Sequence, residues 1–259
     1  DVMARAAFGE LLEFSEDFCE KAAECGHRSF TILAGAFHRT AVEARKLSYE
    51  GPFGVGYGIC GYKALGPDGT RDFLEQHEEK ENARLRALRE KEDPYVRLAR
   101  QTIQEYLRTG RQIAPPQGLP PELYGTRAGA FVSLKEDGRL RGCIGTIQAT
   151  KDSLAEEIIA NAVSACSRDP RFPPVEAWEA DRLTVSVDVL GETEPVTSPE
   201  ELDAGRYGVI VTKGLKRGLL LPNLEGVDTV EQQIAIAKQK AGIREGEAVA
   251  LERFEVVRH

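Results

Sequence analysis

Six residues, Leu140-Arg141-Gly142-Cys143-Ile144-Gly145, bring together an arginine, a thiol and two glycines. A cysteine becomes a nucleophile when nearby positive charge stabilises its thiolate, and a guanidinium two positions away on an extended strand can supply that charge. Cys143 and Arg141 are therefore the candidate catalytic pair. Downstream, Asp169-Pro170-Arg171-Phe172-Pro173-Pro174 adds a second guanidinium, and arginine offers a planar fork for a carboxylate or phosphate. With Gly142, Gly145 and Asp169, Arg171 outlines a thiol-bearing cleft for a small or protein-borne anionic group. The competing reading is structural. Free cysteine often serves as a small buried apolar residue, glycines permit close packing, and Asp169 can pair with Arg171 merely to hold a turn. No histidine in the motif region can act as the thiol's base.

These residues need elements to position them. Asp93-Pro94 opens a helix whose stripe is Val96, Ala99, Ile103 and Leu107, and Gly110 ends it. From Ala130 the pattern changes to period two. Phe131 to Leu134 is a strand, Asp137-Gly138 a two-residue hairpin turn, and Arg139 to Ile147 the return strand. Strict alternation puts Arg139, Arg141 and Cys143 on one face, and Leu140, Gly142 and Ile144 on the other, with Leu140 and Ile144 in the core. Ser153-Leu154-Ala155-Glu156 starts a helix, with Cys166 on its core side, and the proline-rich run from Asp169 stops it. Strands follow at Leu183–Leu190, Tyr207–Thr212 and Gly218–Leu221, with Lys213, Lys216 and Arg217 at a solvated hairpin tip. A helix over Thr229–Ala241 and a strand over Leu251–Val257 close the chain. Hairpins with interspersed helices predict an α+β fold with a largely antiparallel sheet.

The first third differs. Leu11, Leu12, Phe18 and Ala22 predict a helix stopped by Gly26, and Ser29–Leu33 a short buried strand. The alternating glycines of Leu47–Gly58 precede no helix, so a close approach beside a strand fits them better than a phosphate loop. Ile59–Ala64 is strand-like. These elements do not enclose a core and read as a truncated α/β segment, the tail of a larger domain. Residues 1–66 thus form one region and residues 67–92 a charge-dense helical linker, a solvated spacer with a thin apolar stripe. Residues 93–259 form the main domain.

Of 259 residues, 41% are hydrophobic and 29% charged, which is ordinary globular usage. A net charge of −8 argues against sequence-independent nucleic-acid binding over the whole surface. No apolar run is long enough to span a bilayer, and no secretory signal opens the chain. Five cysteines without C-x-x-C spacing suggest reduced thiols in a cytoplasmic protein, and the scattered histidines make zinc unexpected.

"GAFVSL", "LRGCIG", "DPRFPP", "GLLLPN" and "KAG" occur in this order. Together they resemble the AMMECR domain, called AmmeMemoRadiSam system protein A in bacteria and archaea, over Asp93 to His259. The resemblance implies two subdomains with the cysteine motif near the cleft between them. It also implies a Memo-like protein and a radical S-adenosylmethionine protein as partners. Asn223 follows "LLLP" where glutamine is usual, which adds it to the substrate-binding set, and Val227-Asp228 stands where Trp-Asp is often found. "ECGHRSFTILAGAF" followed by "KLSYEGPFGVGYG" resembles the C-terminal end of class III extradiol dioxygenase-like domains, which hold non-haem iron with histidines and a carboxylate. Glu50 is the one ligand candidate carried over, and one carboxylate cannot complete such a site. The expectation is no cofactor in this chain, with iron only in a complete upstream domain. Two functions follow for the main domain: a thiol enzyme or enzyme subunit acting with the radical partner, or a non-catalytic adaptor for peptide or RNA. A third credits activity to the intact upstream domain alone.

Overall fold

Among the described residues of the computed structural model, every strand pairing is antiparallel. Helices pack beside the sheets, so the fold is α+β. The structure describes residues 1–51, 53–224 and 226–259, and of residues 16 and 17 the backbone alone. Pro52, within the glycine-rich stretch, lies outside the described residues. The chain divides into two units, Asp1–Ala87 and Leu88–His259.

In the first unit the helix expected across Leu11–Ala22 is broken into a 3-10 turn, Phe8–Glu13, and helix α1, Glu16–Lys21. Ser15 causes the break, because its hydroxyl accepts the Phe18 amide and starts a new helix. The strand expected at Ser29–Leu33 is instead part of helix α2, His27–Ala36. Here the Glu24 carboxylate accepts the Gly26 and His27 amides and so caps a helix N-terminus. A five-residue apolar run carries no period that could announce this. Strands β1 (Thr40–Glu50) and β2 (Tyr57–Pro67) form a two-stranded ribbon. A Cβ on Gly56 would lie 2.5 Å from the hydroxyl at the tip of the exposed Tyr49 side chain. Helix α3, Phe73–Glu90, carries the charged run. It is more than a spacer, since Phe73 is buried in the cluster of Phe8, Leu11 and Ala34, with Arg71 over the Phe8 and Phe73 rings.

The second unit opens with helix α4, Pro94–Thr109, whose Asp93 cap accepts the Tyr95 and Val96 amides and whose end is Gly110 at φ 71°. A short α5, Pro121–Gly125, leads to strands β3 (Ala130–Glu136) and β4 (Arg139–Gly145). Asp137 and Gly138 between them both take positive φ, as a tight hairpin requires. Helix α6 (Leu154–Ser167) and strand β5 (Thr184–Leu190) follow. After them come β6 (Glu194–Val196), β7 (Gly208–Lys213), β8 (Lys216–Leu220) and helix α7 (Val230–Lys240). The single strand expected at the end is two, β9 (Ala250–Phe254) and β10 (Val256–Arg258), and they join different sheets.

The first sheet has the order β10-β5-β3-β4 and the second β6-β9-β7-β8. One face of the first sheet, with Val132, Leu134 and Val187, packs on Leu98, Ile103, Ile158 and Ile159 of α4 and α6. Each such side chain contributes about 1.5–3 kcal/mol on full burial. Cys166 lies in this core, and burial pushes its thiol up to about 11. From the other face Phe131 joins Leu190, Ile210, Leu219 and Phe254, a cluster that fastens the two sheets together. Among the described residues no helix is long and apolar enough to cross a membrane.

Candidate functional site

Cys143 lies on the face of the first sheet that looks away from α4 and α6. It stands opposite Ser133, which in turn stands opposite Ser186, so a thiol and two hydroxyls form one row. Phe131, two residues before Ser133 and on the same face, packs on the second sheet, so the row faces the second half of the unit. The Ser133 hydroxyl donates to the Cys143 sulfur at 3.2 Å.

β4 is an edge strand. The outward amide of Cys143 donates to Asp169 Oδ2 at 2.8 Å, and its carbonyl accepts from Arg171 Nη2 at 3.0 Å. Asp169 and Arg171 are themselves paired through Arg171 Nε at 2.9 Å and Nη2 at 2.7 Å. The Arg171 guanidinium holds the buried Asp169 carboxyl down at about 2, with further help from the Cys143 and Arg171 amides. In return Asp169 raises the Arg171 guanidinium, and Cys143 acts in the same direction. Lys240, the exposed last residue of α7, is within electrostatic range of Cys143 and Arg171. Burial lowers its ammonium, Cys143 acts to raise it and Arg171 to lower it. The arrangement is a thiol beside a hydroxyl, on a residue whose carbonyl binds a guanidinium, which suits an anion beside a nucleophile.

Residues 96–259 match the AMMECR1 family. The chain belongs to that family. A Thermotoga maritima protein is 56% identical over 149 residues, covering 57% of this chain and 86% of that protein. A Clostridium acetobutylicum protein is 45% identical over 250 residues, 96% of this chain, and this chain spans 53% of its length. The crystal structure of an uncharacterised Pyrococcus horikoshii protein superposes with a TM-score of 0.60 at 38% identity, covering 63% of this chain and 88% of that one.

Within the AMMECR1 domain, Arg141 does not stand beside the thiol as alternation predicts. The register slips between Leu134 and Lys135, so that Gly142 faces Leu134, Leu140 faces Lys135, and Arg141 is the unpaired bulge residue. Its guanidinium turns to the buried Glu179 at 2.7 and 3.0 Å and to the Pro173 carbonyl at 2.8 Å. That ion pair holds Glu179 below the usual carboxylate range. The same slip removes Leu140 from the core face, and it is 40% exposed.

The glycines are explained by packing. A Cβ on Gly142 would lie 2.3 Å from the Ala165 carbonyl of α6, and one on Gly145 would lie 2.2 Å from the Phe131 ring. Asn223 is exposed after β8 at φ 51°, with its amide on the Ala204 carbonyl. Lys240 and Ser133 went unnoticed among the candidates, although they lie inside the "KAG" and "GAFVSL" motifs.

In the first unit Glu50 is exposed at the end of β1, and among the described residues no metal-ligand group gathers around it. The residues present therefore do not fit a two-histidine, one-carboxylate iron centre. A group absent from the sequence reading is Cys19, Glu24 and His27, whose ligand atoms all lie within 4.8 Å of one another. This donor set could hold a divalent metal. His27 Nε2 is 2.7 Å from the Leu11 carbonyl, and burial, then Glu24, raises the Cys19 thiol.

Proposed function

We propose that the AMMECR1 domain of this chain is a thiol-dependent enzyme, or the thiol-bearing subunit of one, acting on an anionic group of a small or macromolecular substrate. The observation that carries this reading is the Cys143 sulfur beside the Ser133 hydroxyl, on a residue whose backbone the Asp169–Arg171 pair holds. Arg171 is half exposed, so it can meet a carboxylate or phosphate while remaining on Asp169. The resemblance to AmmeMemoRadiSam system protein A adds a Memo-like and a radical S-adenosylmethionine protein as partners. Iodoacetamide labelling at pH 7 tests the reading, with the exposed Cys25 as the reference thiol. Cys143 should label faster than Cys25, and an equal or slower rate would leave the adaptor function as the better account.

A second reading concerns the first unit, as the closing part of an extradiol dioxygenase-like domain. It is favoured by the exposed apolar side chains of the ribbon, Leu47, Tyr49, Tyr57, Ile59 and Leu65, which a larger domain would cover. The added length of the C. acetobutylicum relative fits it. Hydrogen exchange of β1 and β2 should be slower in that longer relative than here. Equal exchange, or a longer relative that binds no iron or zinc, counts against it.

A further inference from the structure

We propose that Cys19, Glu24 and His27 form a zinc site in the first unit, independent of the thiol reading of Cys143. Their spacing, Cys-x4-Glu-x2-His, is not one by which zinc sites are ordinarily recognised in a sequence. The fold makes them converge. Cys19 stands in α1, Glu24 in the turn after it and His27 at the start of α2, and their ligand atoms all lie within 4.8 Å of one another. Zinc bonds of about 2.0–2.3 Å in a tetrahedron hold ligand atoms about 3.3–3.8 Å apart, so side-chain adjustments of about 1 Å close the set around an ion.

Each donor is already held through an atom the metal does not need. His27 Nε2 lies 2.7 Å from the Leu11 carbonyl. A carbonyl only accepts, so Nε2 carries the proton and the lone pair of the neutral ring is on Nδ1. Metal-binding imidazoles are commonly fixed this way, with the other ring N–H on a backbone carbonyl. The Phe14 ring stacks on the same imidazole, centroids 5.9 Å apart, so the ring is oriented before an ion arrives. Glu24 accepts the Gly26 amide at 2.7 Å and the His27 amide, both on Oε2, and neither bond uses Oε1. The charges also match. A thiolate and a carboxylate balance a divalent cation and offset the positive end of α2. On binding, the Cys19 S–H bond breaks, the proton leaves to water and the sulfur electron pair goes to the metal. A thiolate and an imidazole favour zinc over magnesium or calcium, which take oxygen ligands. The set differs equally from the two histidines and one carboxylate of an iron centre. Three protein donors leave the fourth tetrahedral position to water.

Zinc titration against a competing chelating dye, with cobalt absorption spectroscopy, tests the site on the untagged chain. The expected result is one zinc per chain, and thiolate-to-cobalt charge-transfer absorption that added zinc abolishes. Cys19→Ser should remove that absorption. Cys19→Ser and His27→Gln should each weaken zinc by more than the roughly 10–100-fold that losing a ligand's own hydrogen-bond partner costs. The exposed Cys25 is the control, and Cys25→Ser should bind as the wild type does. A wild-type chain that binds no zinc, absorption that survives Cys19→Ser, or its loss in Cys25→Ser overturns the inference. If His27→Gln does not fold, Glu24→Gln replaces it, since glutamine keeps an oxygen for the two amides, and wild-type affinity in that variant overturns the site too. Alkylation of Cys143 is unaffected by any of these outcomes, so the thiol reading stands or falls separately.

Discussion

Asp169 accepts the Cys143 amide at 2.8 Å, and in doing so completes an edge strand with a side chain. Cys143 faces Ser133 across β3 and β4, and its own amide and carbonyl point outward, where a further strand would pair. Asp169 takes the amide and Arg171 the carbonyl, so the edge is closed without a strand. The backbone is fixed by this clamp, and the sulfur meets the Ser133 hydroxyl on the sheet face turned towards the second sheet.

Removing the clamp should therefore loosen the strand. Asp169→Ala leaves the half-buried Cys143 amide without its acceptor and is expected to destabilise the second unit by about 2 kcal/mol. Urea unfolding followed by circular dichroism measures it, and an unchanged midpoint would contradict the clamp.

The same carboxylate makes the unit acid-sensitive. Its folded value of about 2 lies below the ordinary 3.8, so the charged form is favoured in the folded state. Its contribution, about 2 kcal/mol, is complete above roughly pH 4 and is lost as the pH falls from there towards 2. Asp169→Asn should flatten this limb of the stability profile, which denaturant midpoints collected across that range would reveal.

Arg141→Ala separates structure from chemistry. Glu179 would be left buried without its cation, at a cost of about 3–5 kcal/mol. Cys143 labelling should scarcely change in protein that remains folded, because Arg141 is engaged with Glu179 and the proline carbonyls rather than the thiol. A large drop in labelling would restore Arg141 to the site.

Gly142→Ala should be costly for steric reasons alone. The added methyl would meet the Ala165 carbonyl at 2.3 Å, and relieving such an overlap by moving strand or helix costs about 1–3 kcal/mol or more. Gly125→Ala, where a Cβ meets nothing within 4 Å, should leave the melting temperature nearly unaltered. Comparable losses in the two variants would refute the packing account.

Features set by neighbouring residues were legible in the chain. The Asp93 cap and Gly110 stop of α4 and the Asp137-Gly138 turn appear where their residue types predict. Each depends on backbone geometry and hydrogen bonds within a few residues, so sequence suffices to announce it. Cys143, Asp169 and Arg171 were also recognisable as candidates because their types are informative on their own.

Their arrangement was not. The bulge at Arg141 reverses the facing of Leu140, and period two cannot signal an unpaired residue, because register belongs to two strands at once. The helix at His27–Ala36 replaces an expected strand for a similar reason: a short apolar run acquires its conformation from its cap and its packing. Phe131 joins the two sheets and Gly218 lets α7 lie close on β8, and neither contact is announced by its neighbours in the chain. Residue type told which groups could react. Long-range packing determined which of them meet, since contacts between distant segments leave no periodic trace in the chain.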